Sequence, residues 1–309
     1  MFIKKIILLI LLIFLFSSYS SCVSEPERHV ITHESIESHE SIEPQTPEIL
    51  QELDINYKTV NDQDLLMDIY YPTKIIYEKS PLIVMFYGGG WIAGDKTQPA
   101  YMFTPIIKEL RENGYIIAMP QYRYATYNNY FPAQIDDCAD SIIYLQNNAD
   151  KYNINIDSIG VMGYSAGAQL AMLSAYTLNK FTDIKYCLSF AGPTKFYGEE
   201  LTDYSQGTLY LVENLFNGTY DEKEQEYMAG SPYYYIINTD TKTPLLLVHD
   251  EQDDVVPFSQ SQIMYDKAVE VGIDCELLKL RGFRHQINFN YDSENESVKE
   301  ILDFIYKYS

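Results

Sequence analysis

The chain has 309 residues, 46% of them hydrophobic, and a net charge of −22. Such a length and apolar content suffice for one large core, while the acidic balance repels nucleic acid and anionic headgroups and favours neutral or cationic small molecules. Beyond Cys22 the cysteines are Cys138, Cys187 and Cys275, an odd set without metal-ligand spacing. Cys138 and Cys187 sit in apolar patterns and read as small buried hydrophobes, so no metal or organic cofactor is expected.

In chain order, Lys4-Lys5, the apolar run 6–16 and the serine-rich stretch 17–21 read as a secretory signal over 1–21, too short in its apolar part to span a membrane. Cys22, just beyond that stretch, resembles the lipobox cysteine of bacterial lipoproteins, with Tyr19 where leucine is usual. Lipidation there implies an exported protein anchored by Cys22 and facing the periplasm or the cell exterior. The alternative is cleavage near Ser21 and secretion. Residues 22–50 carry Ser, Glu, His and Pro, with a near-repeat over 33–44, and are expected to form a disordered tether. A flexible segment of this length spans roughly 30 Å on average and about 90 Å when stretched. His29, His33 and His39 lie in this tether and read as incidental.

From residue 51 onward the pattern is that of one catalytic domain over 51–309. Strands are expected over 53–60 and 65–71 as an antiparallel edge pair. Alternation follows: strand 82–87, helix 99–113, strand 115–119, helix 132–152, strand 158–163, helix 166–178 and strand 184–190. A longer insertion over 197–242, expected to act as a small cap, carries eight of the 29 tyrosines, which composition bias explains better than sugar stacking. Strand 245–249, helix 259–271, strand 275–280 and helix 294–308 complete the chain. Strands alternating with helices imply a mostly parallel twisted sheet covered on both faces, with functional loops at the C-terminal strand ends.

Gly163-Tyr164-Ser165-Ala166-Gly167 lies between an apolar strand and a small-residue helix, the context that a nucleophile elbow requires. The turn exposes a serine hydroxyl at a helix N-terminus, where negative charge is favoured. A serine needs a histidine to take its proton and a carboxylate to fix that histidine's tautomer. Outside the tether only His249 and His285 remain. His249 ends a strand and reads as structural; His285, in the loop after strand 275–280, is the expected base. The acid should fall between serine and histidine in chain order. Asp250-Glu251-Gln252-Asp253-Asp254 occupies that interval. Asp253 is the expected acid and Asp254 the alternative, with Asp250 and Glu251 read as surface charges. The N–H of Ala166, after the nucleophile, and N–H groups of the loop Tyr87-Gly88-Gly89-Gly90-Trp91 suit an oxyanion hole. Without a Gly-Lys-Ser/Thr ending, that loop does not read as a phosphate loop.

The stretches 87–96, 120–123, 131–134, 163–167 and 253–257 together resemble the α/β-hydrolase esterases, across most of the chain from residue 54 onward. The similarity is strongest to carboxylesterases and acetyl esterases with His-Gly-Gly-Gly-Trp loops, related to hormone-sensitive-lipase-like and bacterial feruloyl esterases. That resemblance implies the α/β-hydrolase fold, Ser165 as nucleophile, Asp253 as acid and His285 as base, with Gly89, Gly90 and Ala166 donating to the oxyanion. Tyr87 departs from the pattern, standing where histidine is usual, and implies a retuned oxyanion loop. Asp250 replaces the glycine common after the strand-end histidine, which an exposed loop would tolerate. The expected activity is hydrolysis of short-chain acyl esters, acetylated carbohydrate among them, through an acyl-enzyme. Two alternatives are an amidase or peptidase using the same triad, separable by ester against amide turnover, and a surface-anchored non-catalytic binding protein, which only Tyr87 favours.

Overall fold

The computed structural model describes residues 50–309, apart from 127, 179–182, 238–241, 288 and 290–295. The secretory signal, Cys22 and the tether histidines lie outside the described residues. Among the described residues eight strands form one sheet in the order β1-β2-β4-β3-β5-β6-β7-β8. β1 (Gln51–Val60) and β2 (Gln63–Tyr70) pair antiparallel. Asn61 and Asp62 between them are both left-handed, at φ 49° and 62°, the geometry of a two-residue hairpin turn. β2 then pairs antiparallel with β4 (Ile116–Pro120). From there β3 (Ser80–Phe86), β5 (Ile154–Tyr164), β6 (Ile184–Phe190), β7 (Leu245–Asp250) and β8 (Cys275–Leu280) are parallel, as is the β3–β4 pair. Every residue of β3 is buried, which is why it reads as an unbroken apolar run rather than an alternation.

Helices cover both faces. On one, α1 (Gln98–Met102), α2 (Thr104–Glu112) and the C-terminal helix Glu296–Tyr308 press Ile106, Leu110, Ile301 and Ile305 onto Ile83, Met85, Ile117, Met162 and Leu188. Leu82, Val84 and Phe86 have the opposite parity and face the other layer, where α3 (Ala133–Asn147), α4 (Ala149–Tyr152) and α5 (Ala166–Thr177) follow in sequence. α5 buries every residue from Ala166 to Tyr176, including Gly167 and four alanines, because its backbone lies directly on the sheet.

Two expected helices are divided. The break between α1 and α2 falls at Phe103, two residues before Pro105, which lacks an N–H and would clash with the carbonyl four residues back. α3 and α4 part at Asn148, whose side-chain amide donates to the Tyr144 carbonyl. The region expected as a cap folds as a 3-10 turn over Gly198–Asp203, then α6 (Gln206–Phe216), α7 (Glu224–Ala229) and α8 (Pro232–Ile236). α9 (Ser259–Glu270) packs beside β7 and β8, and the C-terminal helix is α10. Cys138, Cys187 and Cys275 are buried free thiols. Among the described residues no helix is long and apolar enough to cross a membrane.

Candidate active site

Ser165 stands between β5 and α5 with φ 53° and ψ −119°, a conformation that ordinary residues avoid. It is held there by its neighbours. The Ser165 N–H donates to the Phe190 carbonyl at 2.8 Å, and the Ser165 carbonyl accepts from the N–H groups of Ala168 and Gln169. The two glycines of the motif have different but equally physical reasons. A Cβ on Gly163 would lie 2.1 Å from the Gly167 oxygen, and one on Gly167 would lie 2.3 Å from the carbonyl oxygens of Phe86 and Tyr87. The turn therefore closes on itself, and the elbow helix abuts the end of β3.

The structure brings Ser165, His285 and Asp253 together. His285 Nε2 is 2.9 Å from Ser165 Oγ, and His285 Nδ1 is 2.8 Å from Asp253 Oδ2. An ionised carboxylate only accepts, so the proton sits on Nδ1, and Nε2 is free to accept from the serine hydroxyl. His285 is 3% exposed and Ser165 6% exposed. The loop carrying His285 is fixed from behind: the Tyr164 hydroxyl donates to the His285 carbonyl at 2.5 Å. Asp253 Oδ1 accepts from the N–H groups of Val255 and Val256, at 2.8 and 2.9 Å. Burial pushes the Asp253 carboxyl up, but the hydrogen bonds from His249 and His285 outweigh it and hold the group well below the ordinary carboxylate range. Asp254 points elsewhere, to the exposed Arg284 guanidinium at 3.1 Å.

Asp250 is not the surface charge that the sequence suggested. It is fully buried at the end of β7. Its Oδ1 accepts from the Gln252 N–H at 2.8 Å, and its Oδ2 from the Phe283 N–H at 2.7 Å. One carboxylate thus ties the loop carrying Asp253 to the loop carrying His285. A glycine at this position would supply neither bond. Glu251 lies nearer the surface and pairs with the exposed Arg281.

The glycine loop follows β3 beside the elbow. Gly88 lies against Tyr164, and its N–H donates to Gln98 Oε1 at 2.6 Å. Among the described residues the N–H groups of Gly89, Gly90 and Ala166 have no acceptor. Tyr87 braces this loop through a reciprocal pair. Its hydroxyl donates to the Tyr122 carbonyl at 3.0 Å, the Tyr122 hydroxyl donates to the Tyr87 carbonyl at 2.8 Å, and the rings stack 4.2 Å apart. Burial pushes both phenols' pKa values up, so both remain donors. Trp91 Nε1 donates to Gln169 Oε1 at 3.0 Å, and Gln169 Nε2 donates to the Gly230 carbonyl at 2.7 Å. This buried amide joins the glycine loop, the elbow helix and the segment before α8, a role that its place among small residues did not signal. Lys96, at the end of the glycine-rich stretch, pairs with the buried Asp68 at 2.5 Å.

α6 reaches over both sides of the site. Leu211 Cδ1 would be 2.7 Å from a Cβ on Gly90, and Thr208 Oγ1 donates to the Val255 carbonyl at 2.9 Å. Two tyrosines of this region, Tyr204 and Tyr227, are buried and pack against Phe196 and Phe216. Among the described residues no group of three or more His, Cys, Asp or Glu could hold a metal ion.

The strand order and the placement of these side chains beyond C-terminal strand ends define the α/β-hydrolase fold. Residues 67–268 match the BD-FAE family model, more than half of the chain, and the protein belongs to that family. It is 26% identical to Esterase LipQ of Mycobacterium tuberculosis over 223 residues, covering 69% of this chain and 51% of LipQ. The chain spans about half the length of the mycobacterial esterases it matches. Among solved structures, the Thermogutta terrifontis esterase Est2 with bound propionate superposes with a TM-score of 0.68 at 22% identity, covering 84% of this chain and 96% of that one. A truncated carbohydrate esterase from gut microbiota gives a TM-score of 0.70 at 20% identity, covering 85% and 98%.

Proposed function

We propose that this chain is a serine carboxylic-ester hydrolase that takes short-chain acyl esters, acetylated carbohydrate among them. The observation that carries the proposal is the hydrogen-bonded series from Asp253 through His285 to Ser165, together with the N–H groups of Gly89, Gly90 and Ala166, which have no acceptor among the described residues. On this reading His285 Nε2 takes the Ser165 proton as Oγ attacks the ester carbonyl. The negative charge that develops on the carbonyl oxygen is held by the N–H groups of Gly89, Gly90 and Ala166. The proton then passes from His285 to the departing alkoxide, leaving an acyl group on Ser165. Water, deprotonated by His285, attacks the acyl carbon; the acid leaves and Ser165 regains its proton. Asp253 keeps Nδ1 protonated throughout and stabilises the imidazolium between steps.

The short-acyl preference is supported by Leu211 lying over the glycine loop, and by the propionate held in the T. terrifontis relative. The carbohydrate leaving group is supported by the gut esterase of similar fold. The proposal extends to location, an exported enzyme tethered to a membrane by a lipid on Cys22, and is supported by the signal pattern and the cysteine that follows it. Hydrolysis of p-nitrophenyl acetate, butyrate and octanoate, beside the matching p-nitroanilides, tests the activity. Turnover that falls with acyl length and spares the anilides supports the assignment; anilide turnover equal to ester turnover overturns it in favour of an amidase. Metabolic labelling with a palmitate analogue, lost in Cys22→Ala, tests the anchor.

A further inference from the structure

His249 was expected to be a structural strand-end histidine, yet it touches the carboxylate that holds His285. Its Nε2 is 3.1 Å from Asp253 Oδ2 and 3.0 Å from the Val256 carbonyl oxygen. Its Nδ1 is 2.7 Å from Ser261 Oγ on α9. The ring is fully buried and sits edge-on to Phe258. These partners fix its tautomer. A carbonyl and an ionised carboxylate can only accept, so Nε2 carries the hydrogen and shares it between them, and Nδ1 accepts from the Ser261 hydroxyl. Asp253 Oδ2 thus receives two imidazole N–H groups, while Oδ1 receives two backbone N–H groups. The capacity of a carboxylate is about four such bonds, so every acceptor direction is filled and the carboxylate cannot rotate.

We propose that His249 is a positioning residue for the proposed triad: its Nε2–H, held by Ser261 and Val256, fixes the Asp253 carboxylate in the orientation that His285 requires. The proposal rests on the esterase reading above. A histidine used only to fill space would need no polar partners. Here a buried serine, a backbone carbonyl and the acid itself are all spent on one ring. Without the Nε2–H, Oδ2 keeps a single side-chain donor and the carboxylate swings about its remaining contacts. His285 then loses its orientation, while the glycine loop is untouched. The loss should therefore fall on kcat and leave KM alone.

Three variants of the full chain test this, each assayed with p-nitrophenyl acetate beside wild type. His249→Phe keeps a ring of similar shape and removes every N–H; kcat should fall about 10- to 100-fold with KM within about twofold. His249→Gln places an amide N–H near the position of Nε2 and should recover most of that loss. Ser261→Ala, which frees the ring without removing it, should lower kcat by about three- to tenfold and decides the matter should His249→Phe fail to fold. A kcat for His249→Phe or Ser261→Ala equal to wild type, or no difference between the Phe and Gln variants, overturns the proposal while leaving the esterase assignment intact. No turnover by wild type itself would instead overturn the esterase assignment, and this proposal with it.

Discussion

Replacing Asp250 puts a number on how firmly the two functional loops are joined. The carboxylate is fully buried, and its two oxygens accept from Gln252 and Phe283 at 2.8 and 2.7 Å. Asp250→Ala leaves both N–H groups without that acceptor. A hydrogen bond to a charged group contributes about 1.5–3 kcal/mol, and water entering at the sheet edge would restore part of each, so a net loss of about 2–5 kcal/mol is expected. For a domain of this size about 1 kcal/mol moves Tm by roughly 2–4 °C, giving a fall on the order of 5–15 °C. Activity should suffer as well, because Phe283 lies two residues before His285 and Gln252 one before Asp253. A shift near 1 Å in either loop costs about 100-fold, so kcat for Asp250→Ala should fall by about 10- to 100-fold. Glu251→Ala is the control: its pair with the exposed Arg281 lies at the surface and contributes about 0–1 kcal/mol. Thermal unfolding and p-nitrophenyl acetate kinetics on the same preparations give both readings. An Asp250→Ala protein with unchanged Tm and kcat would show that this carboxylate does not join the loops.

Asp253→Asn should lower kcat by about four orders of magnitude, the scale of the matching change in the serine-protease triad, by favouring the wrong His285 tautomer. Asp254→Asn, which loses only an exposed contact to Arg284, should retain activity within about twofold, near the limit of what surface pairs contribute. Because the Asp253 carboxyl is held below the ordinary carboxylate range in the folded chain, its contribution to stability is complete above an unfolded-state pKa of about 4 and is lost progressively as pH falls from there through the lower folded-state value. The gap in urea midpoint between wild type and Asp253→Asn should therefore hold above about pH 5 and narrow, without closing, down to about pH 3; a gap that does not change would refute the linkage. Ser165→Gly should unfold at a higher temperature than Ser165→Ala, since φ 53° and ψ −119° strain any residue with a Cβ; relief of such strain is on the order of 1–3 kcal/mol.

The sequence was informative where chemistry or sterics act over a few residues. The elbow needs small neighbours because a Cβ on Gly163 or Gly167 would meet backbone oxygens within 2.3 Å, and that requirement is visible as a pattern. β8 spans the expected 275–280, a Leu-rich segment carrying Glu276 and Lys279 and bounded by Asp274 before it and Arg281-Gly282 after it. The break at Phe103 was equally present in the sequence, as Pro105, but the amphipathic spacing on both sides concealed it. β5 begins four residues before the expected start at 158, since Ile156 and Asp157 are exposed while Ile154 still pairs with Ser80. What could not be read was the partnering of buried polar groups. Asp250 looked like one charge among several because its acceptor role depends on an N–H 33 residues away. His249 looked structural because its contact to Asp253 exists only once the turn after β7 folds back. Gln169 gave no signal because its two partners come from a distant loop and from the segment before α8.

The triad itself is tested most directly at Ser165, with a fluorophosphonate probe and p-nitrophenyl acetate applied to the full chain and to its Ser165→Ala variant. Wild type should be labelled on Ser165 and hydrolyse the ester, and both signals should vanish in a variant that still folds. Labelling at another residue, or turnover that survives the loss of Ser165, would contradict the triad.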